Sequence, residues 1–147
     1  MAEIGFYHLT RTDIAAALPP LLGRTLQAGE RALVLCPDDA EVAALDEALW
    51  RCATPDWLPH GTLATPHPEW QPIFIAAQDV NPAGAAFLFR VGGAPADPGA
   101  YKRVFDLFDG NDPEAVAAAR ARWREAKQAG HGLTYWKQTE AGWERAQ

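Results

Sequence analysis

The sequence predicts an α/β fold: a mostly parallel central sheet of about five strands with helices on both faces. Three observations lead there. Strand-like and helix-like stretches alternate through the first 50 residues, and such units close as parallel pairs joined by right-handed crossovers. Residues 31–36 (RALVLC) are a short, nearly continuous apolar run, the pattern of a strand covered on both faces. At 147 residues, 48% hydrophobic and 22% charged, the chain can bury one good core, so residues 1–147 are expected to form one domain.

Residues 3–9 (EIGFYHL) alternate, are rich in aromatics, and read as the first strand. Thr12 or Asp13 can cap a helix running to about Ala28, with Gly29 as its stop. Pro19 and Pro20 fall inside it and are expected to kink it or split it. After the strand at 31–36, Pro37-Asp38-Asp39 turns the chain and caps a helix over 40–50, whose Val42, Leu45 and Leu49 step by three and four. Eight of the 12 prolines lie between 55 and 98, which excludes long helices there. Two short strands emerge at 73–77 and 86–91, followed by a loop over 92–99. Residues 103–108 (RVFDLF) read as a fifth strand. Asp112 then caps a helix of about 112–129, with Pro113 in the first turn, Glu114 favouring the dipole and Gly130 as the stop.

Several kinds of chemistry have no support. There is no GxGxxG after the first strand, no GxxxxGK[ST], no GxSxG and no HExxH, so neither a phosphate cradle nor a catalytic centre is signalled. His8, His60, His67 and His131 are scattered without metal-ligand spacing; His60 and His131 read as turn or capping residues. Cys36 and Cys52 make neither a disulfide framework nor a zinc site, and Cys36 reads as a buried core residue. No cofactor is expected. No apolar run approaches the roughly 20 residues of a membrane span. The opening MAEIGFYHLT carries Glu3 and no basic stretch, so a cytoplasmic location is expected.

The net charge of −6 disfavours nucleic-acid binding over the whole surface, yet its distribution is uneven. Residues 1–100 hold 5 Lys or Arg against 12 Asp or Glu, whereas residues 101–147 hold 8 against 7. Within the second part, Arg120, Trp123, Arg124 and Lys127 fall at i, i+3, i+4 and i+7 along one side of the last helix, and Tyr135, Trp136 and Lys137 follow soon after. Cations gathered beside large rings suit an anionic partner with an apolar anchor. A solvated helix face is the plainer alternative for the cations. Trp123 also continues the apolar spacing of Val116, Ala119 and Ala126, and Arg122 points elsewhere on the helix and reads as solvated. Phe108 has a reading as core beneath that helix, and Trp50 as a plug at a helix end.

The FYHL opening, the segment RALVLCPDDAEVAALDEALW, the WLPHG turn and the closing AARARWREAKQAGHGLTYWKQ resemble the chi subunit of bacterial DNA polymerase III holoenzyme, from about residue 4 to residue 138. The resemblance implies a Rossmann-like α/β domain that is not an enzyme. It implies an adaptor with two surfaces. One holds the acidic C-terminal tail of single-stranded-DNA-binding protein, which ends in a hydrophobic residue and a free carboxylate. The other holds the psi subunit or another clamp-loader component, so that DNA is engaged only indirectly. By the resemblance, the tail pocket falls on Phe108, Arg120, Trp123, Arg124, Lys127 and Trp136, with Trp123 standing where the family usually has Tyr. The partner interface falls on Trp50 and Trp57. The competing class is a nucleotide- or nucleic-acid-binding α/β protein acting directly on DNA, which the charge and the missing phosphate loop disfavour.

Overall fold

The computed structural model describes residues 2–52 and 58–147. Strands β1 (Glu3–Leu9), β2 (Ala32–Leu35), β3 (Ile73–Ala76), β4 (Phe87–Val91), β5 (Arg103–Asp109), β6 (Gly132–Thr139) and β7 (Gly142–Arg145) form one sheet in the order β3-β2-β4-β5-β1-β6-β7. All neighbours pair in parallel except β6 and β7, which are antiparallel. The α/β class therefore holds, and the sheet is larger than the expected five strands. The two additional strands follow the last helix. There a half-exposed, polar and aromatic stretch lacks the apolar run that marked β2.

Helices α1 (Ile14–Gln27) and α2 (Asp39–Arg51) cover one face of the sheet, and α3 (Pro113–Gln128) covers the other. Alternation along each strand feeds both cores. Tyr7 and Leu9 of β1 pack toward α1 and α2, while Ile4 and Phe6 pack toward α3. Each helix begins at an aspartate whose carboxylate accepts an early backbone N–H: Asp13 from Ala16, Asp38 from Glu41 and Asp112 from Glu114. Gly130, at φ 84°, supplies the left-handed residue that ends α3. Helix α1 is not split by Pro19 and Pro20; it runs as one element. Ala15 and Ala16, whose carbonyls lose their helical donors to the two prolines, line an open groove between α1 and α2 where water can reach them.

Helix α3 has little apolar substance. Only Ala119 and Ala126 are buried, with Val116 and Trp123 partly so. Its position is fixed by a buried ion pair: Arg122 donates through Nε to Asp106 Oδ2 at 2.7 Å and through Nη2 to Oδ1 at 2.9 Å. Arg122 was expected to be solvated; instead its side chain is 12% exposed and that of Asp106 1%. Sequence spacing placed Arg122 off the Arg120 stripe but could not show a carboxylate waiting on β5. Arg90 lies beside Asp106 in the β4–β5 register and donates through Nε to the Ala94 carbonyl at 2.5 Å. Burial pulls the Arg90 pKa down, and the Asp106 carboxylate acts against that shift.

The added β6 is locked to β1 by one side chain. Gln138 Oε1 accepts the backbone N–H groups of Thr10, Arg11 and Thr12 at 3.2, 2.8 and 3.0 Å, and its Nε2 donates to Thr12 Oγ1 at 2.7 Å. A single carbonyl oxygen thus fills a nest of three successive donors at the end of β1.

Two stability predictions follow from these anchors. Asp106→Ala leaves two arginines without their shared counter-ion and is expected to cost about 3–5 kcal/mol in urea unfolding; a loss below about 1 kcal/mol would show that α3 is held by other contacts. Gln138→Ala is expected to cost only about 1 kcal/mol, because water can replace its bonds. It should nevertheless speed amide hydrogen exchange at Thr10, Arg11 and Thr12 while leaving β2 protected.

Candidate anionic-peptide surface on α3 and β6

The parallel pairing of β6 on β1 brings Tyr135 opposite Phe6 and Lys137 opposite His8, and β5 brings Phe108 opposite His8 from the other side. All of these side chains sit on the face that α3 covers. Phe108 is buried and forms the floor, with its ring 5.2 Å from that of His8 and 6.2 Å from that of Tyr135. Trp123 descends from α3 onto this floor edge-first, 5.3 Å from Phe6 and 5.8 Å from Tyr135. It is half-buried, so part of the indole remains accessible. The core reading of Trp123 holds for the side of the ring that rests on Phe6 and Tyr135.

The polar edge is well defined. The Tyr135 hydroxyl and His8 Nδ1 are hydrogen-bonded at 2.6 Å. The imidazole lies so close over Gly110 that a Cβ there would collide with it, which is why the turn after β5 needs glycine at that position. Burial and the Lys137 cation lower the His8 pKa below the ordinary histidine value; a backbone hydrogen bond with Gly110 opposes this, Arg120 adds to it and Asp109 opposes it. Burial raises the Tyr135 pKa, against the pull of Arg120. Arg120, Arg124, Lys127 and Lys137 are all exposed, and no ion pair reaches them among the described residues. The surface therefore offers unspent positive charge around the partly exposed rings of Trp123 and Tyr135, which stand on a buried floor, as carboxylates attached to an apolar anchor would require.

The structure brings together Phe108, Arg120 and Trp123, with Arg124 and Lys127 further along the exposed side of α3. It does not bring Trp136 with them. Adjacent residues of a strand point to opposite faces, so Trp136 lies on the α1 side, its ring 6.3 Å from and nearly parallel to Tyr7, and its Nε1 donates to Thr134 Oγ1 at 3.1 Å. Tyr135 occupies the place that Trp136 was expected to fill. Lys137 had been grouped with Tyr135 and Trp136 beside the helix cations, whereas His8 was read only as one of four scattered histidines. Its signal was the alternation of β1, and it could be used only once β6 was known to be its neighbour.

Trp50 lies elsewhere, near the β3 edge of the sheet. It is 65% exposed, and its ring packs 4.7 Å from that of His60, which is buried and bonded to Asp46 Oδ1 at 2.9 Å and to the Leu58 carbonyl at 2.7 Å. The helix-end plug reading of Trp50 therefore fails. Gly61 bridges to Phe74 of β3, and Leu63 and Trp70, 62% and 66% exposed, belong to the same edge. Trp57 lies outside the described residues.

A cleft of about 560 Å³ opens at the carboxyl ends of β1 and β5, where open α/β sheets bind ligands. Its lining includes Asp13, Glu41 and Asp109. Its arginine, Arg11, is paired to Glu140 at 3.3 Å, and the nearby donors of residues 10–12 are already occupied by Gln138. A phosphate would meet three carboxylates there. Among the described residues no group of His, Cys, Asp and Glu could hold a metal ion. Cys36 is buried, its thiol pushed up to about 12 by burial and by the carboxylates of Glu41 and Asp38. No helix among the described residues is long and apolar enough to cross a membrane.

Comparison with known proteins gives two findings. Residues 1–134 match the family model described as "DNA polymerase III chi subunit, HolC". The chain is also 26% identical over 97 residues to the "Probable DNA polymerase III subunit chi" of Rickettsia prowazekii (strain Madrid E). That match covers 66% of this chain and 58% of the relative's length.

The partial burial of Trp123 has a measurable consequence. Trp123→Ala is expected to cost about 2 kcal/mol in urea unfolding, less than for a fully buried ring, whereas Arg124→Ala stays within about 0.5 kcal/mol. Equal, negligible effects would mean that the indole does not rest on Phe6 and Tyr135.

Proposed function

The chain belongs to the DNA polymerase III chi subunit family, a family of accessory rather than catalytic subunits, and on that premise we propose that it tethers the replicase to the acidic C-terminal tail of single-stranded-DNA-binding protein during DNA replication. The observation that carries this reading is a set of exposed cations with no ion pair among the described residues: Arg120 and Lys137 act on the His8–Tyr135 pair beside Trp123, and Arg124 and Lys127 follow along the exposed side of α3. Guanidinium groups grip carboxylates in pairs, and an apolar terminal side chain gains roughly 2–3 kcal/mol from full burial. A peptide with an acidic run and a hydrophobic end satisfies both halves. Mobile tails lose entropy on docking, so a single tail binds at about micromolar strength. Several tails on one DNA-bound oligomer raise the effective concentration and hold the assembly in place.

The exposed Trp50 is proposed to mark the seat of the psi subunit or another clamp-loader component. The competing reading, a protein acting directly on nucleotides or DNA, gains nothing from the large cleft, whose carboxylates repel phosphate.

The test is a titration with a labelled peptide from the C-terminus of the single-stranded-DNA-binding protein. Saturable binding is expected, about tenfold weaker for Arg120→Ala, weakened by added salt, lost when the terminal residue of the peptide is removed, and unchanged in Trp50→Ala. A folded protein that binds no tail, or one whose binding depends on Trp50 instead, sinks the assignment of the α3 surface.

A further inference from the structure

Resting on the tail-binding reading, we propose that His8 and Tyr135 form a proton-linked carboxylate subsite of the same surface, so that docking of an anionic peptide takes up a proton at His8. The inference comes from the hydrogen-bond arrangement. The imidazole is held between three elements: Phe108 of β5 on one side, Tyr135 of β6 on the other, and the Gly110 backbone beneath. Its Nδ1 meets the Tyr135 hydroxyl at 2.6 Å. Nε2 is the ring nitrogen nearest Gly110; in the tautomer that keeps its proton there, a neutral imidazole accepts at Nδ1 and the hydroxyl proton of Tyr135 is turned inward. A protonated imidazole donates at both nitrogens. The tyrosine oxygen then accepts from His8, and its own proton is free to point outward, toward a carboxylate on the surface.

The charged and titratable groups facing His8 set the sign. Lys137 on β6 and Arg120 on α3 disfavour the imidazolium, Asp109 at the end of β5 favours it, and Tyr135, whose pKa is raised further above neutrality, adds no charge. In the unliganded protein the balance lies below the ordinary histidine value, so His8 is neutral near pH 7. An incoming carboxylate offsets the Lys137 and Arg120 cations and accepts the freed tyrosine proton, both of which favour the charged ring. The His8 pKa is therefore higher in the complex than in the free protein. Affinity must then increase as pH falls through the bound-state value, and level off below the free-state value.

The experiment uses the full chain and a synthetic peptide of aspartates ending in phenylalanine with a free carboxylate, carrying a dye whose emission is constant over the range. Dissociation constants are measured from pH 8 down to pH 5.5, above the range where aspartates protonate. For the wild type, binding is expected to tighten about three- to tenfold on lowering the pH. For His8→Gln, which keeps a side chain able to bond Tyr135 but cannot titrate in this range, the profile is expected to be flat. Proton NMR of the wild-type imidazole serves as a second reading that requires no variant: the His8 titration is expected to move to higher pH on adding peptide. Saturable binding with a flat wild-type profile, a pH dependence that persists in His8→Gln, or an unmoved His8 titration overturns this inference while leaving the tail reading standing. No binding at any pH overturns both.

Discussion

The orientation of α3 depends on one carboxylate. Asp106 sits in the middle of β5, buried, and takes both ends of the Arg122 fork. Buried ion pairs contribute little net stability, because desolvating two charges offsets most of their attraction. What this one supplies is direction. A helix that buries only two alanines fully has weak apolar reasons to prefer one rotation about its axis over another. Fixing Arg122 inward sends Trp123, the next residue, onto Phe6 and Tyr135, and leaves Arg120, Arg124 and Lys127 in water. The chemistry of the surface is thus set by a contact buried beneath it.

Strand β6 completes the arrangement and also divides it. Because β6 pairs in parallel with β1, its odd and even residues serve different faces: Tyr135 joins the cationic surface, and Trp136 joins Tyr7 and Trp143 on the side of α1. Sheet order then places the Trp50 region beside the β3 edge, several strands away from the α3–β6 surface. On the proposed reading, the two partners would sit near opposite edges of one sheet and would not compete for the same surface.

Much of the fold could be read from the sequence because it was written locally. Strand β1 has the predicted bounds, Asp112 and Pro113 start α3 as expected, and the apolar run of β2 reported its burial on both faces. What escaped was non-local. Strands β6 and β7 are half-exposed and carry no continuous apolar run, so their aromatics were read as function before they were read as structure. Arg122 was misread because its partner lies 16 residues earlier on another element. The continuity of α1 through two prolines depends on solvent access to freed carbonyls, which no propensity encodes. The candidate surface was half legible: helix spacing showed Arg120, Trp123 and Arg124, and Tyr135 and Lys137 stood out just beyond the helix, but that these two share a face with His8, and Trp136 does not, became visible only through the β1–β6 register.

Whether an acidic, hydrophobic-ended peptide lands on the α3–β6 face can be read directly from the tryptophans, which are built-in reporters. Indole N–H signals in a nitrogen–proton correlation spectrum, assigned by single Trp→Phe variants, would be followed as peptide is added. The account predicts a large shift at Trp123, and little at Trp136 or Trp143 on the opposite face or at Trp50 and Trp70 near the far edge. A spectrum in which Trp50 or Trp70 moves while Trp123 stays still would contradict it.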